Sequence, residues 1–179
     1  MPDHTSTYQE RKKFKGKHSE DYAIPHFESR NIPIIRVGLD SHNDDIPSKL
    51  WMNIPKLIRN IPDFIVLPNE DGNYFLECKT GREYVGLKLS ELKSYGYWNE
   101  HLPVAFFIYS KLYNTVYTVS YVKIMELISE QNYKIGEYNN NERYYIIPMK
   151  DLHLKGEMYA KDGYYLNKWN QSVKIKGDE

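Results

Sequence analysis

Cysteine is almost missing from this chain: its 179 residues include one, Cys78. A lone thiol closes no internal disulfide and builds no cysteine metal cluster, which excludes the stapled secreted scaffolds and fits a reducing compartment. Net charge is missing as well, because 24 basic residues offset 24 acidic ones. No global field marks a nucleic-acid binder, so any such role has to come from local charge distribution. No apolar run approaches the roughly 20 residues that cross a bilayer. The opening residues, MPDHTSTYQERKKFKGKH, hold no apolar signal core. The expected protein is soluble and cytoplasmic, with no membrane partner.

Three catalytic signatures are absent too. His18, His26, His42, His101 and His153 are scattered, and none stands at i, i+4 from another to grip zinc from one helix face. Neither common glycine-rich phosphate loop occurs. No serine sits in a GxSxG setting, which leaves acyl transfer without support.

What is present is a globular composition. The chain is 41% hydrophobic and has 17 tyrosines, enough for one domain burying roughly two-thirds of its unfolded surface. One charge run stands out: RKKFKGK, residues 11 to 17, holds Arg11, Lys12, Lys13, Lys15 and Lys17 without an acid. It reads either as a solvated arm or as a phosphate-binding arm whose hold on nucleic acid weakens steeply with salt. The aromatic YGYW, residues 95 to 98, is a helix end packing on a sheet or a surface for stacking bases.

Punctuation and period give the organisation. Ser19 is a helix N-cap before EDYAIPHFESR, in which Glu20, Ala23, Ile24 and Phe27 share a stripe while Asp21 points elsewhere; Pro25 shortens or kinks the helix. IPIIRVG (32 to 38) reads as a strand and the acid-rich LDSHNDDIPS as a loop. KLWMNIPKLIRN has helical spacing broken by Pro55, and VGLKLSELKSYGYW (85 to 98) reads as one amphipathic helix with Val85, Leu89 and Leu92 on one side. PVAFFIYS, apolar throughout, suits a strand covered on both faces. VYTVS and RYYIIPM are further strands, and YVKIMELIS a helix capped by Ser120. Nothing strongly periodic follows Asp151. The expected division is a basic arm over 1–18, a domain over 19–150 and an extension over 151–179.

The chemistry concentrates in IPDFIVLPNEDGNYFLECKTG, residues 61 to 81, which looks like two strands around a turn yet carries Asp63, Glu77 and Lys79. Ionised side chains are rarely buried unless paired or metal-bound. Alternation puts Phe75, Glu77 and Lys79 on one face and Tyr74, Leu76, Cys78 and Thr80 on the other. A two-residue Asp71-Gly72 turn sends Asp63 to the Cys78 face. A three-residue loop, Glu70-Asp71-Gly72, pairs Asp63 with Lys79 and Ile65 with Glu77, and any odd-length loop likewise gathers Asp63, Glu77 and Lys79 on one face. Two carboxylates at that separation repel unless a cation lies between them, and hard oxygen ligands suit Mg²⁺ or Mn²⁺. The competing reading is a buried Asp63–Lys79 ion pair with Glu77 at the strand's exposed end.

Pro62-Asp63, a gap, and Glu77-Cys78-Lys79 resemble the motif of the PD-(D/E)xK nuclease superfamily, in the order of its Holliday-junction-resolvase-like members. The resemblance spans about half the chain, residues 19 to 109. It implies an α/β, restriction-endonuclease-like core, αβββαβ, with a mixed sheet flanked by helices. It implies a divalent-metal-dependent endonuclease acting on DNA, branched DNA such as Holliday junctions included, in recombination or repair. Glu20 would join Asp63, Glu77 and the backbone carbonyl of Cys78 as ligands of Mg²⁺ or Mn²⁺, with Asp63, Glu77 and Lys79 catalytic. Lys88, with Ser90 in reserve, is the polar residue reaching the site from the following helix. Arg11, Lys12, Lys13, Lys15 and Lys17 are the expected DNA-binding arm, and a homodimer would cut two strands. The segment from 40 to 60, with Asp40, Asp44 and Asp45, departs from the family pattern. Two rivals stay open: a nucleic-acid-binding module of this fold that does not cut, and a protein-interaction domain whose charged cluster is only an ion pair.

Overall fold

A computed structural model describes residues 19–39, 48–68, 72–113, 115–155, 164–166 and 172–174. The basic run 11–17 and the acids Asp40, Asp44 and Asp45 lie outside the described residues. The first helix, α1, occupies 19–28 with Pro25 inside it; Ser29 still donates its N–H to the Pro25 carbonyl at 3.0 Å. The stripe holds: Ala23 and Phe27 are buried, and Asp21 is exposed.

Three strands then form an antiparallel meander: β1 (Ile34–Arg36), β2 (Phe64–Val66) and β3 (Tyr74–Gly81). Between β1 and β2 lie two short helices, α2 (Ser48–Trp51) and α3 (Lys56–Arg59), the second beginning straight after the proline that interrupts the helical spacing. β3 runs parallel to β5 (Val104–Ser110), which pairs antiparallel with β6 (Thr115–Ser120), giving a mixed five-stranded sheet in the order β1-β2-β3-β5-β6. A parallel step needs a long crossover, supplied by β4 (Tyr84–Lys88) and α4 (Leu89–His101). Helix α5 (Tyr121–Gln131) follows, and the Ser120 hydroxyl caps it by accepting the Lys123 N–H at 3.1 Å. β7 (Ile135–Glu137) and β8 (Arg143–Pro148) join β4 in a second, antiparallel sheet ordered β4-β8-β7. Helix α6 (Met149–Lys155) buries Leu152 completely, and β9 (Tyr164–Leu166) pairs with β10 (Ser172–Lys174).

The main sheet separates two cores. On one face α1 packs Ala23 and Phe27 against Phe64, Leu76, Cys78 and Phe107. On the other, Phe75, Phe106 and Ile108 meet Leu92 and Tyr95 of α4, Ile124 and Leu127 of α5, and Val85, Leu87 and Ile147 of the second sheet. Strand β5 is buried on both faces, which is why its sequence shows no polar alternation. The architecture is therefore a mixed α/β fold with helices on both faces of a five-stranded sheet.

Two expectations need correction. The helix expected over 85–98 begins only at Leu89. Val85 and Leu87 alternate inward as strand residues, each 1% exposed, whereas the helical reading put Val85 on a stripe with Leu89 and Leu92. Second, the hairpin register is shifted by two residues: Ile65 faces Phe75, not Glu77. A two-residue shift leaves every side chain on its own face, so burial does not separate the registers. Setting apolar Ile65 opposite apolar Phe75 does.

Candidate functional site

The site is built where β2 ends and β3 continues. The ladder pairs Phe64 with Leu76, so Asp63, one residue before the strand, falls on the Glu77 face. Phe75 gives its N–H to the Pro103 carbonyl on the β5 side. Alternation therefore directs the Cys78 N–H toward β2, and the Asp63 carboxylate accepts it at 2.7 Å. Asp63 is held from behind as well: its own carbonyl accepts the N–H groups of Val37 and Gly38, each at 3.0 Å. A side chain at Gly38 would bring its Cβ within 2.7 Å of the Asp63 Cα, so glycine allows this close approach.

Glu77, 5% exposed, lies on the α4 side of β3, with the Lys79 ammonium 2.6 Å from its carboxylate. Lys79 also reaches Glu91 on α4 at 2.9 Å, and Glu91 in turn meets Lys88 at 2.9 Å. Lys88 contacts Glu142 at 3.3 Å, and Glu142 accepts the Ser90 hydroxyl at 2.6 Å. The result is a line of alternating charges, Glu77, Lys79, Glu91, Lys88, Glu142, running from the main sheet to the second one.

Burial followed by the Glu77 charge pushes the Asp63 carboxyl well above the usual range, against the pull of Lys79 and the Cys78 amide. Burial also raises Glu77, with Glu91 adding to it and Lys79 opposing. Burial works against charge on Lys79, but Glu77 and Glu91 outweigh it and hold its pKa well above the ordinary lysine value. Glu91 is the contrast: burial favours its neutral form, yet Lys79 and Lys88 hold its pKa at about 2. Tyr95, buried beside Glu77, donates to that carboxylate, and burial raises its own phenol.

Of the residues singled out in the sequence, Asp63, Glu77 and Lys79 come together, and Lys88 joins them through Glu91. Lys88 sits at the end of β4, as the residue capping α4, and not within the helix. Glu20 approaches from the α1 side, where its carboxylate pairs with Arg36 at 2.6 Å; its charge is still close enough to help raise Asp63. The ion pair anticipated as the competing reading takes another form, since Lys79 pairs with Glu77 and Glu91 and Glu77 is buried. Sequence reasoning missed Glu91, Tyr95 and Glu142. The first two had a signal: counted from Lys88, the residue capping α4, Glu91 and Tyr95 fall at i+3 and i+7 and so share one side of the helix. Glu142 had none, because it arrives from a loop in the second sheet.

Among the described residues, no group of three or more His, Cys, Asp or Glu side chains is arranged to hold a metal ion. Asp63 and Glu77 still fit one. Both carboxyls are raised by burial, and Glu77 raises Asp63 further, which a cation would relieve; Mg²⁺ is commonly held by one or two carboxylates, water and substrate phosphate completing its shell. No described helix is long and apolar enough to cross a membrane.

No family model matches the chain, and no curated protein matches it. Among solved structures it is similar to a nuclease from a fusselovirus at 11% identity, over 74% of this chain and 78% of that one, with a TM-score of 0.40.

Proposed function

We propose that the chain is a divalent-metal-dependent endonuclease of the PD-(D/E)xK type that hydrolyses phosphodiester bonds in DNA. The observation that carries this reading is the meeting of Asp63 and Glu77 on one sheet face with Lys79 beside them, each carboxyl raised by burial. When bound, Mg²⁺ or Mn²⁺ lowers the pKa of a coordinated water and offsets charge on the scissile phosphate. Asp63, Glu77 and the Cys78 carbonyl would hold it, and Glu20, which pairs with Arg36 in this structure, would be a further ligand. Lys79 positions the attacking water and meets charge developing on the phosphate. Glu91 fixes the Lys79 ammonium, and Tyr95 orients Glu77. The basic run Arg11, Lys12, Lys13, Lys15 and Lys17 tracks DNA phosphates, and two copies acting together would cut both strands of a duplex or both arms of a Holliday junction.

A second reading draws on the line of alternating charges: every ammonium in it already has carboxylate partners, as in a domain that binds nucleic acid or protein without cutting. Incubating the purified chain with labelled branched, duplex and single-stranded DNAs, with Mg²⁺, Mn²⁺ or chelator, separates the two. Metal-dependent cleavage supports the nuclease. A protein that neither binds these ions nor cuts any DNA leaves the second reading standing.

A further inference from the structure

The line of charges that starts at Glu77 ends against an aromatic ledge. On the outer face of the second sheet Tyr144 stands opposite Lys88 on one side and Gly136 on the other. Its ring leans over two glycines. A Cβ at Gly136 would come within 2.5 Å of the Tyr144 Cζ, and one at Gly86 within 3.1 Å of its Cδ2. The sheet has thus been cleared of side chains on both flanks so that this ring can lie down on it. Tyr138 packs at a tilt against Tyr144, with centroids 4.3 Å apart and planes inclined at 31°. The Tyr138 N–H donates to the Glu142 carbonyl at 2.9 Å, which ties the ledge to the residue that holds Lys88. Packed on Tyr144 by one ring face, Tyr138 remains 40% exposed.

We propose that the exposed face of Tyr138 is a stacking platform for an unpaired nucleobase of the DNA strand held at the Asp63–Glu77–Lys79 site. This rests on the nuclease reading and narrows it to substrates with a single-stranded or splayed segment. The chemistry argues for a base. A rigid π-face is offered to solvent close to Lys88, whose ammonium Glu91 and Glu142 hold in place, and base–aromatic stacking is indifferent to sequence because every base has such a face. Bases inside an intact duplex keep their faces against their neighbours, so the platform selects strands whose bases are already free. Tyr144 lies over both glycines, and the Tyr138 hydroxyl reaches over Gly86 as well, 3.6 Å from where a Cβ would stand, while the rest of that ring is left to solvent.

The test uses the full chain and a single-stranded oligonucleotide carrying 2-aminopurine, with Ca²⁺ in place of Mg²⁺ to hold back cleavage. Wild type should quench the probe. Tyr138→Leu should abolish the quenching and weaken single-strand affinity roughly tenfold, within the range for loss of one stacked base. Tyr138→Phe should behave as wild type, and a fully paired duplex should lose far less affinity. Equal binding and quenching by Tyr138→Leu, or equal loss on duplex, overturns the proposal. Should the leucine variant fail to fold, wild type cross-linked to a 5-iodouracil strand gives the answer. Label on the peptide holding Tyr138 supports the platform, and label confined to other peptides overturns it. Wild-type cleavage in Mg²⁺ is measured in parallel. Stacking without cleavage removes the nuclease reading alone, and cleavage without stacking removes the platform alone.

Discussion

Gly38 lies so close to Asp63 that a single added carbon on it would fall 2.7 Å from the Asp63 Cα and 3.3 Å from one of its carboxylate oxygens. One carboxylate of the candidate centre is thus positioned by backbone alone, through the two amides at 37 and 38 on one side and the Cys78 amide on the other.

Gly38→Ala is therefore expected to move Asp63 more than it unfolds the protein. Overpacking of this kind costs about 1–3 kcal/mol, visible as a lower melting temperature. Turnover should fall by more than DNA affinity does, because a displaced ligand is felt chiefly in the transition state. Cleavage kinetics unchanged beside a lowered melting temperature would show that the contact serves folding only.

Asp63→Ala and Glu77→Ala should each abolish cleavage; Mg²⁺ or Mn²⁺ is expected to raise the melting temperature of wild type by binding the native state and to leave that of either variant unchanged. Ca²⁺, larger and less exacting in geometry, should permit DNA binding with little or no cutting. Lys79→Ala should keep DNA binding and lose about 10²–10³-fold in turnover, the range for removing one preorganised charge donor. It also removes the ion pair of Glu77 and leaves Glu91 with Lys88 alone, so its melting temperature has to be read beside its kinetics. A wild type whose melting is indifferent to both ions contradicts the metal site.

Glu91→Gln leaves Lys79 with Glu77 alone and Lys88 with Glu142 alone. Because Lys79 and Lys88 hold the Glu91 pKa near 2 against its usual 4.5, its contribution is complete above pH 4.5 and is lost as pH falls toward 2. Denaturant midpoints measured from pH 6 down to 2 should fall more steeply for wild type than for Glu91→Gln. At neutral pH the variant should be the less stable protein.

His26 supplies a second pH dependence on the opposite face of the sheet. Its ring packs edge-on against Phe27 and Phe107, and burial, with Arg30 adding to it, lowers its pKa from 6.5 to about 4. The unfolded chain then binds the extra proton first, so stability is full above pH 6.5 and declines as pH falls toward 4. His26→Gln should flatten the slope in that window, as urea midpoints at half-unit steps would show.

What could be read from the sequence was whatever obeys a short period. Alternation in YFLECKTG put Glu77 and Lys79 on one face; Asp63 joined them only with an odd-length loop, a choice the sequence left open and the register decides, and the helical stripe set Glu20 beside Ala23 and Phe27, though its carboxylate pairs with Arg36. VGLKL, 85 to 89, misled because Val85, Leu89 and Leu92 satisfy a helix while Val85 and Leu87 satisfy a strand. The decision came from β8, an antiparallel partner some sixty residues further on, which no local pattern announces. Glu142 was unreadable for the same reason. Tyr144, seen in sequence as one strand aromatic among many, takes its meaning from two glycines on two other strands.

The lone cysteine has a use unconnected with chemistry at the site. Cys78 stands between Glu77 and Lys79 but faces the α1 core, 8% exposed, and burial holds its thiol well above its ordinary pKa. While the sheet is closed it is a poor thiolate and out of reach. When β3 parts from β2 or α1 lifts, it becomes an ordinary thiol. Its labelling rate is then a clock for the opening of the strand that carries Glu77 and Lys79, with no engineered probe needed and no second thiol to confuse the signal.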